Sequence, residues 1–433
     1  MGLALIRGDD IARRRQAAID KSRQSGRGSR RHQGPSGRRH LAGALRREQL
    51  DTAPLSYYAI MVIVAVLVLL GLVMLLSASA AKNVGGDASP YSMVLRQVMW
   101  TAVGVFGMAV AMRVPYRSIR PLAVPGSILG FALMGLPFVD GVAKEVNDAR
   151  SWVNLGPIGF QPSEILKIVV IVLIADMVAR RERAVGDWRI MALPVAGVGG
   201  LAAGACMAQG DVGSAVVMMA VVMTMLLFSG APLRHLGAIA GASGFVLLLV
   251  IMATPRRFNR FVAFLDVEGN KDYLAYQSWQ GLLSIANGGL TGSGIGGSRS
   301  KLGYLPLAHS DFIFAIVADE LGIVGSVAVV GGFGMLVWFG IQAALAAPDR
   351  FGQMLAAGIA SWFGLQTLVN VGGVVALMPV TGLTLPFFSY GGSSMSTSLV
   401  AAGLLLNVAR RGVSEDPARS TGAGRRRRGS NSR

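Results

Sequence analysis

Ten long apolar runs recur along this chain, and their length constrains its fold more than any other feature. A run of about 20 apolar residues is long enough for a helix to cross the hydrocarbon core of a bilayer. Only 15% of the 433 residues are charged, against about 25% in ordinary soluble domains. We therefore predict an all-α polytopic membrane protein with about ten transmembrane helices. The predicted spans are residues 56–77, 92–113, 118–139, 162–180, 190–207, 212–229, 235–253, 312–342, 352–378 and 393–410.

The short loops that carry arginine all fall on one side of the predicted bundle. With ten spans both ends of the chain share a side, and the loops after spans two, four, six and eight share it too. These loops are marked by Arg113, Arg117, Arg120, Arg180, Arg181, Arg183, Arg234 and Arg350. Short loops rich in Lys and Arg remain in the cytoplasm. We predict a multi-pass protein of the cytoplasmic (inner) membrane with both termini cytoplasmic, residues 56–410 forming its transmembrane domain after an uncleaved first span.

The two tails hold most of the net charge of +18. Residues 1–50 carry 13 Lys and Arg against 4 Asp and Glu, and residues 410–433 carry 8 against 2. Such polar, basic composition predicts disordered cytoplasmic tails over residues 1–55 and 411–433. Basic tails can bind nucleic acid, but the positive-inside effect and contact with anionic membrane lipids explain them better in a membrane protein. We predict membrane lipids, and no nucleic acid, as their partners.

A long loop, residues 254–311, separates spans seven and eight and is predicted to be extracytoplasmic. Loops of this length are usually functional or disordered, and its aromatic content predicts a folded loop on the membrane surface. It contains the pattern G-x-G-x-x-G at 292–297. Because no strand or βαβ unit surrounds that pattern, a dinucleotide site is excluded. A glycine-rich turn that packs closely on a ligand or on the outer helix ends fits better.

An ionisable cluster ends the same loop, at His309, Ser310 and Asp311, with Lys301 upstream. Ionisable residues at a membrane boundary are candidates for a functional site. The alternative is that Ser310 or Asp311 simply caps the helix that begins there.

A second cluster precedes span four, where Arg150 is followed by Gln161, Glu164 and Lys167. Glu164 and Lys167 are three residues apart and share a helix face. They could form a structural ion pair, or Lys167 and Arg150 could bind an anionic ligand such as a diphosphate. The serine- and glycine-rich segment that contains Ser393 predicts a polar outer end for spans nine and ten.

Five blocks of the sequence, in this order, resemble the SEDS family (shape, elongation, division and sporulation) of bacterial peptidoglycan glycosyltransferases. The blocks are residues 150–156, 161–167, 289–306, 309–315 and 379–394, and the resemblance extends over about residues 56–410. The last block is more similar to the division branch of the family than to the elongation branch. One departure is Leu307, where many members carry Glu; a supporting acid at that position is absent or supplied elsewhere.

The resemblance implies lipid II polymerisation during cell division, with the nascent glycan strand as the other substrate and undecaprenyl diphosphate as the leaving group. It implies a class B penicillin-binding protein (a transpeptidase) and other division proteins as partners, at the septum. It makes Asp311 the catalytic acidic residue, acting as general base. The residues expected to bind substrate are Arg150, Gln161, Glu164, Lys167, Lys301, His309, Ser310 and Ser393.

Metal dependence stays open, because no metal-ligand spacing is present in the sequence. No cofactor is assigned; Mg²⁺ or Mn²⁺ is a candidate beside the diphosphate. Two further functions fit the same residues. A lipid II flippase would use the glycine-rich helices and the intramembrane charges, and a non-enzymatic division scaffold would use the tails.

Overall fold

The computed structural model describes residues 54–80, 91–146, 149–156 and 158–412, and twelve α-helices lie within them. They are α1 (Leu55–Ala80), α2 (Ser92–Arg113), α3 (Ala123–Leu133), α4 (Pro162–Arg180), α5 (Leu193–Ala208), α6 (Val212–Ser229), α7 (Leu233–Met252), α8 (Pro255–Leu265), α9 (Tyr276–Gly288), α10 (Ile313–Leu345), α11 (Arg350–Val374) and α12 (Gly392–Arg411). Short 3₁₀ and π turns extend α3 and α5 at their ends. Nearly all of both predicted tails lies outside the described residues, and so does most of the first predicted outer loop.

The polytopic helical fold is confirmed. Within the described ranges, nine helical segments are long and apolar enough to cross a membrane. The exception is α4, the fourth of the ten predicted spans, because it carries four ionisable residues. Glu164 and Lys167 form a buried pair, and the buried Asp176 pairs with the more exposed Arg120 and Arg180 at 2.7 and 2.6 Å. Paired charges are tolerated at membrane depth, so α4 stays a predicted span that differs from the other nine in its charges and not in its apolar length.

The centre of the bundle is formed by α11 and α12. In the apolar stretches of α11 and α12, 72% and 78% of the residues are buried. In the apolar stretch of α7 only 11% are buried, so α7 lies at the periphery. The most extensive packing between two helices joins α12 to α2. A Cβ on Gly403 would lie 2.6 Å from the backbone carbonyl of Met108, so only glycine permits this approach. Small residues at helix contacts are typical of packing in lipid, where van der Waals contact replaces the hydrophobic effect.

The arginine-bearing loops meet at one end of the bundle. Asp349 caps α11 by accepting from Gly352 N at 2.7 Å, and it also accepts from Tyr116 and Arg117. Arg350 donates to the Ser229 carbonyl at 2.6 Å. These contacts connect the loops after spans two, six and eight, as the sequence predicted.

The glycine-rich segment at 288–294 is inserted into a break in α10. Gly322 has φ 67° and ψ −163°, which no helix allows. The carbonyls of Asp319 and Glu320 therefore accept from the amides of Ser293 and Gly294 at 2.9 and 3.0 Å. In return, Ile323 N donates to the Gly289 carbonyl at 2.9 Å. The G-x-G-x-x-G pattern thus serves close backbone packing on a helix, in keeping with the turn predicted from the sequence.

The opposite end of the bundle is covered by folded loops. A three-stranded antiparallel sheet, which the sequence analysis did not predict, lies between α3 and α4. Its strands pair in the order β1 (Ala143–Val146), β2 (Ala149–Leu155) and β3 (Ile158–Phe160). The long loop contains α8 and α9, and Gly281 of α9 packs against Phe312 at the start of α10.

Candidate functional site

A cavity of about 330 Å³ opens at the loop-covered end of the bundle. Its walls come from β2, the start of α4, the α5–α6 turn, α8, α9, the loop before α10 and the loop before α12. The polar wall residues are Ser151, Gln161, Glu164, Asp211, Arg260, Gln277, Ser278, Ser310, Asp311, Thr381, Thr384 and Tyr390. We refer to this space as the outer cavity.

Asp311 lies in the wall of the outer cavity, two residues before α10 begins. Burial raises the pKa of its carboxyl to about 7, although a hydrogen bond from Ser310 acts in the opposite direction, and the charge of Asp211 raises it further. A carboxyl with a pKa close to neutral can hold or accept a proton at physiological pH. The helix-capping alternative is not supported, because no side chain caps α10.

The backbone around Asp311 is held by the loop between α11 and α12. Asn370 Nδ2 donates to the Asp311 carbonyl at 2.9 Å and to the Leu383 carbonyl at 2.6 Å. Ser389 Oγ donates to the Ser310 carbonyl at 2.7 Å, and Tyr390 N donates to the His309 carbonyl at 2.9 Å. These bonds fix the main chain and leave the Asp311 carboxylate facing the cavity.

Leu307 is also a wall residue, and its backbone is strained. Its φ is 53°, a left-handed value that costs a non-glycine residue about 1–3 kcal/mol. The Leu307 carbonyl accepts from Ser310 N at 3.0 Å, which closes a tight turn just before Asp311. A leucine side chain thus lies in the cavity wall at the position where the family resemblance led us to expect an acid.

A second carboxylate, Asp211, lies across the outer cavity at the start of α6. It accepts from Ser214 N at 2.9 Å as the N-cap, and from Gln161 Nε2 at 2.9 Å and Ser163 Oγ at 3.2 Å. Gln161 N in turn donates to Ser393 Oγ at 3.2 Å. Gln161 therefore lies in the site as predicted, while Ser393 supports it from behind.

The predicted pair of Glu164 and Lys167 is divided by the cavity wall. Glu164 is a wall residue, whereas Lys167 lies behind it with a side chain only 1% exposed. Lys167 Nζ is 2.8 Å from Glu164 Oε1, 2.7 Å from Gln366 Oε1 and 4.9 Å from the ring centroid of Trp362. This saturated geometry favours the ion-pair alternative over a direct contact between Lys167 and a diphosphate.

Three other predicted site residues, Arg150, His309 and Lys301, are not among the wall residues of the outer cavity. Arg150 is exposed on β2, between the wall residues Ala149 and Ser151. The His309 ring lies 5.9 Å from that of Tyr390, beside the cavity. Lys301 is not in the outer cavity. It is buried in a second cluster, where its Nζ lies 2.7 Å from Glu320 Oε1, so its expected contact with substrate has no support in this geometry.

Sequence reasoning missed one ionisable wall residue, Arg260, and connected Asp211 only with the alternative flippase function. Asp211 follows Gly210 directly before an apolar helix, which is a capping pattern and gave no sign of a shared cavity. Arg260 lies in the sequence Arg256–Leu265, where basic and aromatic residues alternate at helical spacing. That amphipathic pattern was the available signal.

The carboxylates of the outer cavity do not form a ready metal centre. Within the described part of the chain, no group of three or more His, Cys, Asp or Glu side chains is arranged to hold a metal ion. Separate carboxylates such as Asp211 and Asp311 suit Mg²⁺ or Mn²⁺ only when a phosphate oxygen completes the ligand set. A divalent cation stays a prediction that depends on bound substrate.

Comparison with known proteins gives one family. The family model FTSW_RODA_SPOVE, described as cell cycle protein, matches residues 58–413. Stage V sporulation protein E of Bacillus subtilis is 36% identical over 354 residues, which are 81% of this chain and 96% of that protein. A probable peptidoglycan glycosyltransferase FtsW of Thioalkalivibrio sulfidiphilus is 39% identical over 359 residues, 81% of this chain and 88% of that protein.

Solved structures share the fold. A chain from a study of the structural coordination of polymerization and crosslinking by a peptidoglycan synthase complex matches with a TM-score of 0.69 and 29% identity, over 83% of this chain and 98% of that one. The rod shape determining protein RodA of Thermus thermophilus matches with a TM-score of 0.61 and 28% identity, over 85% of this chain and all of that one.

Proposed function

This chain belongs to the FtsW/RodA/SpoVE family of cell cycle proteins, and on that premise we propose that it is a peptidoglycan glycosyltransferase. The proposed reaction is polymerisation of lipid II into glycan strands at the outer face of the cytoplasmic membrane during cell division. The relatives named as probable peptidoglycan glycosyltransferases support the activity. The nine apolar helical segments and the likeness to RodA make the chain a membrane protein.

The observation that carries the proposal is the Asp311 carboxyl in the wall of the outer cavity, with a pKa of about 7. A sugar hydroxyl is a poor nucleophile, so an adjacent base is the group that this reaction most needs. A general base contributes about 10²–10⁴-fold to such a rate. The cavity lies at the end of the bundle opposite the arginine-bearing loops. Because the positive-inside rule assigns such loops to the cytoplasm, we infer that the cavity opens on the outer side.

In the proposed mechanism Asp311 accepts the proton of the 4-hydroxyl of the acceptor GlcNAc. The oxygen attacks the anomeric carbon of the MurNAc at the reducing end of the growing strand. The bond from that carbon to the diphosphate oxygen breaks, and its electron pair leaves with undecaprenyl diphosphate. Asn370 and Ser389 are positioning residues, because they hold the backbone of Asp311 and Ser310. Gln161, Ser310 and Glu164 are in the wall that would contact the sugars.

The partners follow from the same family. We propose a class B penicillin-binding protein as the transpeptidase partner, in keeping with the likeness to a chain of a peptidoglycan synthase complex. Both tails are proposed to be cytoplasmic, and the protein is proposed to act at the septum with other division proteins.

Purified protein supplied with labelled lipid II tests the proposal. Glycan polymer, formed with or without the co-expressed transpeptidase, is the expected result. Translocation of labelled lipid across vesicles without polymer would assign a flippase, and neither product would assign a scaffold. An Asp311→Asn sample purified in parallel separates polymer made by this chain from that of a contaminating synthase.

A further inference from the structure

Arg260 is the one cationic side chain among the described residues that line the outer cavity. The other ionisable wall residues, apart from Tyr390, are the carboxylates Glu164, Asp211 and Asp311. A cavity that must hold an anionic diphosphate next to carboxylates needs a positive group, and Arg260 is placed to supply it.

The helix α8, which carries Arg260, has one face next to the outer cavity and an apolar face on the opposite side. Successive residues of an α-helix are rotated by about 100°, so Arg256 and Phe264 lie within about 40° of Arg260 around the helix axis. Phe264 lines the cavity as Arg260 does, and this face of α8 is therefore the one next to the cavity. Phe258, Val262 and Leu265 lie about 140–200° away, and their side chains are 42%, 43% and 68% exposed. One face of α8 thus borders the cavity, with the Arg260 side chain itself exposed there, and the opposite face is apolar and exposed.

A basic amphipathic helix of this kind lies in the plane of a membrane interface. With its apolar face in the outer leaflet, α8 forms a wall between the lipid headgroups and the cavity. A lipid-linked diphosphate sits at headgroup depth, so the position of Arg260 matches that of the diphosphate and not that of the distal sugars.

Arg260 has no carboxylate partner among the described residues. Burial and the adjacent Arg256 lower the pKa of its guanidinium, which remains protonated at neutral pH. A guanidinium without a carboxylate partner, such as that of Arg260, produces a local positive potential that an anion relieves. Lys167 differs in this respect, because its ammonium is already neutralised by Glu164 and shielded from the cavity.

We propose that Arg260 binds the diphosphate of the lipid-linked donor and stabilises its charge as the bond to the sugar breaks. This rests on the proposed function. A guanidinium can donate two parallel hydrogen bonds to phosphate oxygens, and the charge on those oxygens increases as they receive the electron pair of the broken bond. Arg260 then belongs to the leaving-group side of the site and Asp311 to the acceptor side.

The test compares Arg260→Gln and Arg260→Lys with Arg257→Gln, a matched control on the same helix whose side chain does not line the cavity. We measure kcat and KM for lipid II polymerisation, and the Kd for undecaprenyl diphosphate with undecaprenol as the uncharged reference. Removing a preorganised donor to a developing charge costs about 10²–10³-fold in rate. We expect that loss in kcat/KM for Arg260→Gln, at least about tenfold weaker undecaprenyl diphosphate binding, unchanged undecaprenol binding, and partial recovery in Arg260→Lys.

The acid limb of the pH profile should stay where it is in Arg260→Gln, because Asp311 is intact. Wild-type kinetics and undecaprenyl diphosphate affinity in a folded Arg260→Gln sample would overturn the proposal, and so would equal losses in Arg257→Gln. If wild-type protein makes no polymer, the proposed function fails by itself. The binding measurement still decides whether Arg260 is a diphosphate ligand, since wild type must bind undecaprenyl diphosphate better than Arg260→Gln does.

Discussion

Lys301 Nζ lies 2.7 Å from Glu320 Oε1, and this buried ion pair joins the two ends of the segment that presents Asp311. Ser77 of α1 completes it, accepting from Lys301 at 2.9 Å and donating to both carboxylate oxygens of Glu320 at 2.6 and 2.8 Å. The pair therefore ties the long loop, α1 and α10 together. Its position indicates a structural role in holding the loop.

Replacing Glu320 by Gln should destabilise the protein strongly, because it leaves the Lys301 ammonium buried without a counter-ion. Breaking a buried pair costs about 3–5 kcal/mol. The apparent Tm in detergent should fall, and the double variant Lys301→Met/Glu320→Gln should recover most of the loss. The control is Glu268→Gln, at an exposed position. A single variant with the wild-type Tm would show that the pair contributes little.

Asp311→Asn should abolish polymerisation and leave the fold intact. The amide cannot accept a proton at neutral pH, so we expect a rate loss of at least about 10²-fold. Polymer formation from labelled lipid II is the measurement, with the exposed Asp272→Asn as the matched control. Near wild-type polymer from a folded Asp311→Asn sample would exclude Asp311 as the general base.

The pH dependence of activity should follow Asp311. The base must be ionised, so kcat/KM should rise with pH through about 7 and lose about tenfold per pH unit below that value. Stability should move in the opposite direction. Between the ordinary value of 3.8 and about 7 the folded state binds the proton and the unfolded state does not, so the free energy of unfolding falls as pH rises through this window.

The stability part of this prediction is checked by differential thermal unfolding. The Tm of Asp311→Asn minus that of wild type should increase from about pH 4 to about 7 and then level off, because in this window the folded wild-type carboxyl keeps its proton and the unfolded one has lost it. A difference that does not vary with pH would mean that Asp311 has an ordinary pKa in the folded protein.

The pair of Glu164 and Lys167 gives a double-variant cycle. Each of Glu164→Gln and Lys167→Met should lower the Tm, because the remaining charge is buried without its partner. The structure leads us to expect that the double variant regains most of the stability and keeps polymerisation within about tenfold of wild type. The family resemblance had favoured a diphosphate contact for Lys167. A stable double variant that cannot polymerise or retain lipid II would restore that interpretation.

The variants Gly292→Ala and Gly294→Ala distinguish the effect of a steric collision with a neighbouring backbone on stability from the effect of an unfavourable φ angle. Both glycines have positive φ, 80° and 87°, so alanine at either position costs about 1 kcal/mol in conformational energy. A Cβ at Gly292 would collide with the backbone of Glu320, whereas nothing lies within 4 Å at Gly294. Gly292→Ala should therefore have the lower Tm and the lower yield. Equal effects would show that the segment is not inserted into α10.

The parts of the site that the sequence predicted are those carried by contiguous residues. Asp311, Ser310 and Gln161 were found because each stands beside an apolar run, where a polar cluster is conspicuous. Their position in the outer cavity agrees with the prediction, while their roles remain proposals. Lys301 looked equivalent to them by the same criterion. Only the contact with Glu320, nineteen positions further along the chain, separates it from the site.

The sequence by itself determined the spans, because hydropathy is a local property and bilayer thickness sets one length for every helix. It also predicted that the arginine-bearing loops share one end of the bundle, as the contacts of Asp349 and Arg350 show. Tertiary structure alone decided which charges share a cavity: Asp211 before α6 and Arg260 of α8 both line it, and Lys167 is hidden behind Glu164. Such partnerships depend on how distant helices pack, and no periodicity in a chain encodes which side chains meet across a bundle.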